Sequence, residues 1–142
     1  MMKAYTEGDF DRNPLMFYYE VTRACDLVCR HCRASAQSCA LPDELSSAES
    51  RELMRQIASF DRKPVVVMTG GDPLKRTDIF DLISYARSVD LEVALTSSAT
   101  PLATREALQR AKDAGVRRLG ISLDGPDAET HDSFRGWSGS FD

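Results

Sequence analysis

Val65-Val-Val-Met-Thr-Gly-Gly-Asp-Pro73 is the stretch on which the fold turns. A short β-branched apolar run suits a strand covered on both faces, as in a parallel sheet, and the glycines and proline behind it mark a sharp turn. Three further runs repeat the pattern: Phe17–Thr22, Glu92–Thr96 and Arg118–Leu123, the last followed by Asp124-Gly125-Pro126. Helical patterns lie between them. Ser46-x-x-Glu49 reads as a capping box, with Leu53, Ile57 and Phe60 at helical spacing behind it. Thr77 or Asp78 caps a second helix along Ile79, Ile83 and Ala86. Thr104 caps a third, where Ala107, Leu108, Ala111 and Ala114 face inward and Gly115 stops the helix. This alternation predicts right-handed βαβ units in an α/β sheet or barrel.

The strand ends fall near residues 22, 69, 96 and 123, so the first interval is 47 residues against 27 for each later one. The extra length sits where the four cysteines are, on a loop after a strand end, where barrels of this kind place their chemistry. Four strands cannot close an eight-fold barrel, which takes about 250 residues. The 142 residues are therefore expected to be a piece of a longer protein: residues 1–14 an N-terminal extension, residues 15–142 the front portion of a partial, truncated barrel with about four parallel strands.

Composition narrows the classes. Apolar residues at 42% and charged residues at 28% describe a folded chain. A net charge of −4 offers no basic footprint, so nucleic acid is not an expected partner. No run of eighteen apolar residues exists to span a membrane, and Met1 to Asp11 is polar and acidic, unlike a secretory signal. The expected compartment is the cytoplasm. Cysteines crowded together in a reducing compartment point to metal or redox chemistry rather than disulfides.

Cys25-x3-Cys29-x2-Cys32 follows directly on the first strand, within Thr22-Arg-Ala-Cys-Asp-Leu-Val-Cys-Arg-His-Cys32. Three thiolates this close repel one another unless a cation or cluster holds their charge. Iron–sulfur clusters are held by cysteine thiolates, and three thiolates on a four-iron cubane leave one iron open for a ligand. Two plainer readings stand beside this one. A zinc site could use the three cysteines with His31 or Cys39, although His31 adjoins a ligand and only one Cys-x2-Cys knuckle is present. The thiols could also be inert and buried. Cys39, in a Ser/Ala-rich loop, reads as a plain small residue, and His31 as packing beside the cluster rather than as a ligand.

The cysteine spacing, with His31 before the last cysteine, resembles the signature of the radical S-adenosylmethionine superfamily, over roughly residues 15 to 142. It looks closest to the subgroup that carries a second, SPASM-type cluster domain at the C-terminus, in enzymes of haem biosynthesis and peptide modification. The fold that the resemblance implies is the radical S-adenosylmethionine type of partial (βα) barrel. Its implied cofactors are a [4Fe–4S] cluster on Cys25, Cys29 and Cys32 and S-adenosylmethionine. The implied reaction is reductive cleavage of S-adenosylmethionine to a 5′-deoxyadenosyl radical that abstracts hydrogen from a peptide or tetrapyrrole-like substrate. A low-potential electron donor of flavodoxin or ferredoxin type is the implied partner. The chain alone is expected to bind the cofactors without completing the reaction, and a non-catalytic zinc- or cluster-binding module is the alternative.

Gly70, Gly71, Asp72 and Pro73 are similar to the family's Gly-Gly-Glu-Pro motif, which holds the amino group of the cofactor's methionine part; Asp72 departs from the commoner glutamate. Read as residues alone, the same four could be a simple turn. Ser122 and Asp124 match a Ser-x-Asp-Gly stretch, and the resemblance implies that Ser122 reaches the ribose. Ser97 and Ser98 stand where relatives often carry Thr-Asn-Gly, which leaves cofactor or substrate contact and a structural role both open. His131 and Arg135 match a family stretch and read as structural hydrogen-bonding residues. Arg23, Arg30 and Arg33 surround the cysteines as solvated loop arginines able to moderate negative charge.

Overall fold

The computed structural model describes residues 5–27 and 29–142. Residues 1–4 of the expected extension, and Val28 inside the cysteine motif, lie outside the described residues. The strands are β1 (Met16–Thr22), β2 (Val65–Gly70), β3 (Glu92–Ser97) and β4 (Arg118–Ile121). They form one parallel sheet in the order β1-β2-β3-β4. The helices are α1 (Glu7–Phe10), α2 (Ser47–Ile57), α3 (Ile79–Ser88), α4 (Arg105–Ala114) and α5 (Ala128–Arg135). The expected truncated α/β barrel with four parallel strands is the architecture observed.

Strand register explains the core. Tyr19 pairs with Met68 and Met68 with Leu95, and partners in a parallel ladder point to the same face. These residues, with Val21, Val66 and Val93, meet Met54 and Ile57 of α2, Ile79, Leu82, Ile83 and Ala86 of α3, and Ala111 of α4 in one buried cluster. Full burial of each large apolar side chain contributes about 1.5–3 kcal/mol as an upper figure. α3 packs between α2 and α4. The opposite face of the sheet carries Glu20, Thr69, Thr96 and Gly120, a more polar side.

Helix ends follow their chemistry. Ser46 accepts from the Glu49 amide, and the Glu49 carboxylate takes the Ser46 amide and hydroxyl, at 2.9 and 2.7 Å. Thr104 caps α4, and Gly115 ends it in the left-handed conformation at φ 110°. α2 closes at Ile57, so Phe60 falls in the following turn. Asp78 stands at the start of α3 without capping it, because its carboxylate is taken by Arg76 and Ser47. The sequence reading did not include α5, although Asp127, which accepts from the Thr130 amide, and Gly136 in the left-handed region mark its ends. In the extension, Arg62 pairs with Asp9 at 2.6 Å and lies over the Tyr5 ring, tying α1 to the turn before β2.

β1 ends in a register irregularity between Glu20 and Thr22, which redirects the chain into the cysteine loop. That loop closes on itself. Ala24 and Gln37 form a parallel bridge, the Cys25 amide donating to Gln37 O and the Gln37 amide to Arg23 O, both at 2.7 Å. Arg23 further donates through Nε to Ala34 O and through Nη2 to Ser35 O.

Glu44 anchors the loop's far side. One carboxylate oxygen accepts from the Arg23 amide (2.8 Å), the Leu41 amide (3.0 Å) and the Thr22 hydroxyl (3.1 Å). Burial pushes its pKa up, but these donors outweigh it and hold the carboxyl below its usual 4.5. A depressed folded-state pKa gives stability that is complete above about 4.5 and is lost as pH falls through the folded value. Glu44→Gln is therefore expected to cost about 1 kcal/mol at neutral pH, the group being partly solvated. The gap in thermal stability between variant and parent should shrink in melts recorded well below pH 4.5; a pH-independent gap would remove the ionised carboxylate from this account.

Candidate metal centre and cofactor cavity

The ends of all four strands open on one cavity of about 190 Å³. Its lining includes Cys25, Cys29 and Cys32 of the cysteine loop, Gly70 and Gly71 of the glycine turn, Ser97, Ser98 and Ser122, and Arg135 of α5. Thr69 and Thr96, from the polar sheet face, complete the floor. Neither threonine was singled out from sequence, although Thr69 is the one polar side chain of β2 and Thr96 comes next to last in β3. Asp72, Pro73 and Asp124 do not line the cavity. Cys39 is exposed and away from it.

Two of the three sulfurs accept from a backbone amide of the loop. Cys25 is buried and accepts from the Leu27 amide at 3.4 Å. Cys32 accepts from the Ala36 amide at 3.3 Å, in a turn where Ser35 takes a positive φ of 48°. Burial raises the Cys29 thiol above its usual 9.0; Arg135 opposes the shift, and Cys25 and Cys32 add to it. Such thiols lose their protons on taking up a metal. Among the described residues, no three His, Cys, Asp or Glu side chains converge on a single ion position. The three cysteines instead line one cavity together, which suits a cluster whose corners each take one thiolate. Amide donors to sulfur suit the same group, since hydrogen bonds to the sulfurs tune such clusters.

The glycine turn presses on the chain itself. Gly71 donates to Thr22 O at 2.8 Å, and the next amide, Asp72, to Ala24 O at 2.7 Å. A Cβ at Gly71 would stand 2.3 Å from Ala24 O, and one at Gly70, where φ is 124°, 2.2 Å from Thr22 O. The close approach that only glycine permits is thus to the exit of β1, while the open side of the turn faces the cavity. Asp72 is fully buried. Its carboxylate accepts from the Thr100 hydroxyl (2.5 Å) and the Leu74 amide (3.1 Å), capping the 3-10 turn Pro73–Lys75. Thr100 carried no motif, and only the fold brings it to Asp72.

The last loop is organised by α5. His131 is buried, and its Nδ1 accepts from the Asp124 amide at 3.1 Å. An amide can only donate, so that nitrogen carries no proton, and Nε2 faces the Ser140 hydroxyl at 3.3 Å. Asp124 lies between Arg135 Nη1 (3.1 Å) and His31 Nε2 (3.8 Å). His31 stacks on Phe134 at 4.5 Å, and the Arg30 amide donates to Phe134 O at 3.1 Å. Ser98 donates to Gly71 O at 2.6 Å and accepts from Arg135 Nη2 at 2.7 Å. Arg33 pairs with Glu20, on the polar face of the sheet, at 2.8 Å.

These bonds join the four loops in a closed circuit around the cavity. The cysteine loop holds the glycine turn, the glycine turn holds Ser98 and Thr100, Ser98 holds Arg135, and α5 returns to the cysteine loop through Phe134 and Asp124.

The profile of the Radical SAM superfamily matches residues 19–142. Among curated proteins, the AdoMet-dependent heme synthase of Oleidesulfovibrio alaskensis is 43% identical over 87% of this chain and 31% of its own length. Mycofactocin maturase MftC of Mycobacterium tuberculosis is 33% identical over 91% of this chain and 32% of its own length. Among solved structures, Streptococcus suis SuiB bound to S-adenosylmethionine superposes with a TM-score of 0.70 at 19% identity, over 89% of this chain and 29% of that one. The chain spans about a third of the length of the curated relatives it matches. Among the described residues, no helix is long and apolar enough to cross a membrane.

Proposed function

The chain belongs to the radical SAM superfamily, whose cofactors are a [4Fe–4S] cluster and S-adenosylmethionine, and from that premise we propose that Cys25, Cys29 and Cys32 hold the cluster and leave one iron open for S-adenosylmethionine. The observation that carries this reading is that the three cysteines and the glycine turn line one and the same cavity. Gly70 and Gly71 receive the methionine part of the cofactor through backbone groups. Asp72 and Pro73 act from behind, Asp72 holding the turn's shape through Thr100 and Leu74. Ser122 reaches the ribose from the rim, and Asp124 serves by fixing Arg135 and His31. When bound, the cofactor pair supplies reductive cleavage and a radical able to abstract hydrogen; the protein orients it and keeps water out. Superfamily membership does not favour the non-catalytic zinc module.

For the whole protein we propose an enzyme acting on a tetrapyrrole side chain. Identity is higher to the heme synthases, 43% and 44%, than to the peptide maturase at 33%, which keeps a peptide substrate as the second reading. The proposal includes a C-terminal SPASM-type cluster domain, a low-potential donor of flavodoxin or ferredoxin type, and a cytoplasmic, reducing setting. It also holds that the 142 residues bind both cofactors without turning substrate over.

Anaerobic reconstitution with iron and sulfide tests the core of this reading. The expected result is a brown chain whose paramagnetic signal in the reduced state changes on adding S-adenosylmethionine. A cluster indifferent to S-adenosylmethionine, or a chain that takes up only zinc, would sink it.

A further inference from the structure

The glycine turn is held differently on its two sides. β1 stays paired with β2 as far as Gly70, and the Gly71 and Asp72 amides then donate to Thr22 O and Ala24 O. β3 leaves β2 earlier, the last ladder pair being Met68 with Leu95. Beyond that pair the β3 loop reaches the turn through two hydroxyls. Ser98 Oγ donates to Gly71 O at 2.6 Å, and Thr100 Oγ1 to the Asp72 carboxylate at 2.5 Å. Ala99, between them, bends the loop with a positive φ of 53°, which residues other than glycine adopt uncommonly. Thr100 is 4% exposed and Asp72 0%. Besides Thr100, the carboxylate accepts from the Leu74 amide at 3.1 Å. A buried carboxylate that loses such a donor is left short of a partner, so the side chain and the turn that carries it must shift. Neither Thr100 nor Asp72 lines the cavity, so whatever Thr100 does there it does through the turn.

We propose that Thr100 is a positioning residue for S-adenosylmethionine: acting through Asp72, its hydroxyl sets where the Gly70-Gly71 backbone stands relative to the three cysteines. The inference rests on the cofactor reading proposed above, in which the methionine part meets the glycine turn at one end and the open iron at the other. A ligand held at two ends is sensitive to the span between them, and a misplacement of about 1 Å in such a site costs up to about a hundredfold. The cysteine side of that span is fixed by main-chain bonds, which do not depend on side chains. The β3 side depends on the residue at position 100 and on the length of the acid that meets it. Asp72 and Thr100 are therefore one coupled pair: an extra methylene at position 72 would drive the carboxylate into the hydroxyl, since both are buried and already in contact.

The test titrates S-adenosylmethionine into the reconstituted parent, Thr100→Val and Thr100→Ser, following the paramagnetic signal of the reduced cluster. Thr100→Val keeps the shape without the hydroxyl and is expected to weaken affinity about tenfold at an unchanged iron content. Thr100→Ser keeps the donor and should bind within about twofold of the parent. Affinity equal to the parent's in folded Thr100→Val would overturn the assignment, as would an equal loss in Thr100→Ser. Iron lost in step with affinity would also overturn it, by making Thr100 a support of the cysteine loop. Asp72→Glu should weaken binding about tenfold as well, and adding Thr100→Ala, which makes room, should recover most of it. Should Thr100→Val not fold by its melting curve, this pair carries the test, and no recovery in the double variant would overturn the coupling. If the parent takes up no cluster, or one indifferent to S-adenosylmethionine, the cofactor reading has failed, and the hold on the turn is read on the apo chain by amide hydrogen exchange. There Thr100→Val should speed exchange at Gly71 and Asp72 about tenfold and leave the Cys25 amide, bonded to Gln37 O, unchanged; equal protection at the turn would overturn it.

Discussion

With Cys25, Cys29 and Cys32 replaced together by alanine, the chain is expected to fold and to hold no iron after reconstitution. Alanine is close to cysteine in volume, and Cys29 and Cys32 are only partly buried, so the fold should lose little. The loop keeps its closure through the Ala24–Gln37 bridge and the Arg23 bonds, none of which uses a sulfur. What disappears is the whole thiolate donor set. Iron and sulfide counts should fall to background, with the brown absorbance gone. Each single alanine variant should lose most of the cluster, because the remaining two thiolates leave a second iron uncovered. Cys39→Ala is the control and should retain a full complement, its side chain being exposed and outside the cavity. Iron retained by the triple variant, or lost from the Cys39 variant, would mean that the ligand set is assigned wrongly.

The second large effect is structural. Gly71→Ala puts a Cβ 2.3 Å from the carbonyl oxygen of Ala24, with the Arg23 carbonyl oxygen at 2.7 Å. Both obstacles are backbone, at the point where β1, the cysteine loop and the glycine turn are bonded together, so neither can rotate away. The turn must retreat, breaking the Asp72 N–H bond to Ala24 O or the Gly71 N–H bond to Thr22 O. A cost of about 3 kcal/mol or more is expected, with a melting temperature lower by roughly 10 °C. Cluster uptake should fall with it, since the cysteine loop is one of the two parts that separate. An unchanged melting temperature would show that the turn can back away freely, and would remove the steric reason for glycine here.

The fold was largely legible because its determinants are local and periodic. The four apolar runs were short and the helices carried their own stop and start residues, such as Ser46 with Glu49 and Thr104 with Gly115. The cysteines, Gly70, Gly71 and Ser122 were legible for a different reason: each sits at or just past a strand end, and a parallel sheet brings such positions to one side. What escaped was the wiring between loops. Thr100 meets Asp72 across 28 residues of chain, and Phe134 meets Arg30 and His31 across about a hundred, so no spacing announces either contact. α5 escaped because its eight residues include only one large apolar side chain, Phe134, and its buried members are His131 and Arg135. A helix whose inward face is polar gives no hydrophobic period to read.

The Ala24–Gln37 bridge separates two kinds of sequence freedom within one long connection. Between its two ends the thiol-bearing turn is closed and metrically fixed, so lengthening it would move the sulfurs against each other. Beyond it, residues 38–43 run over the surface until Glu44 pins the chain again. Evolution can therefore insert or delete in that outer stretch without disturbing the geometry of the metal centre, so length variation is tolerated there and not between the cysteines.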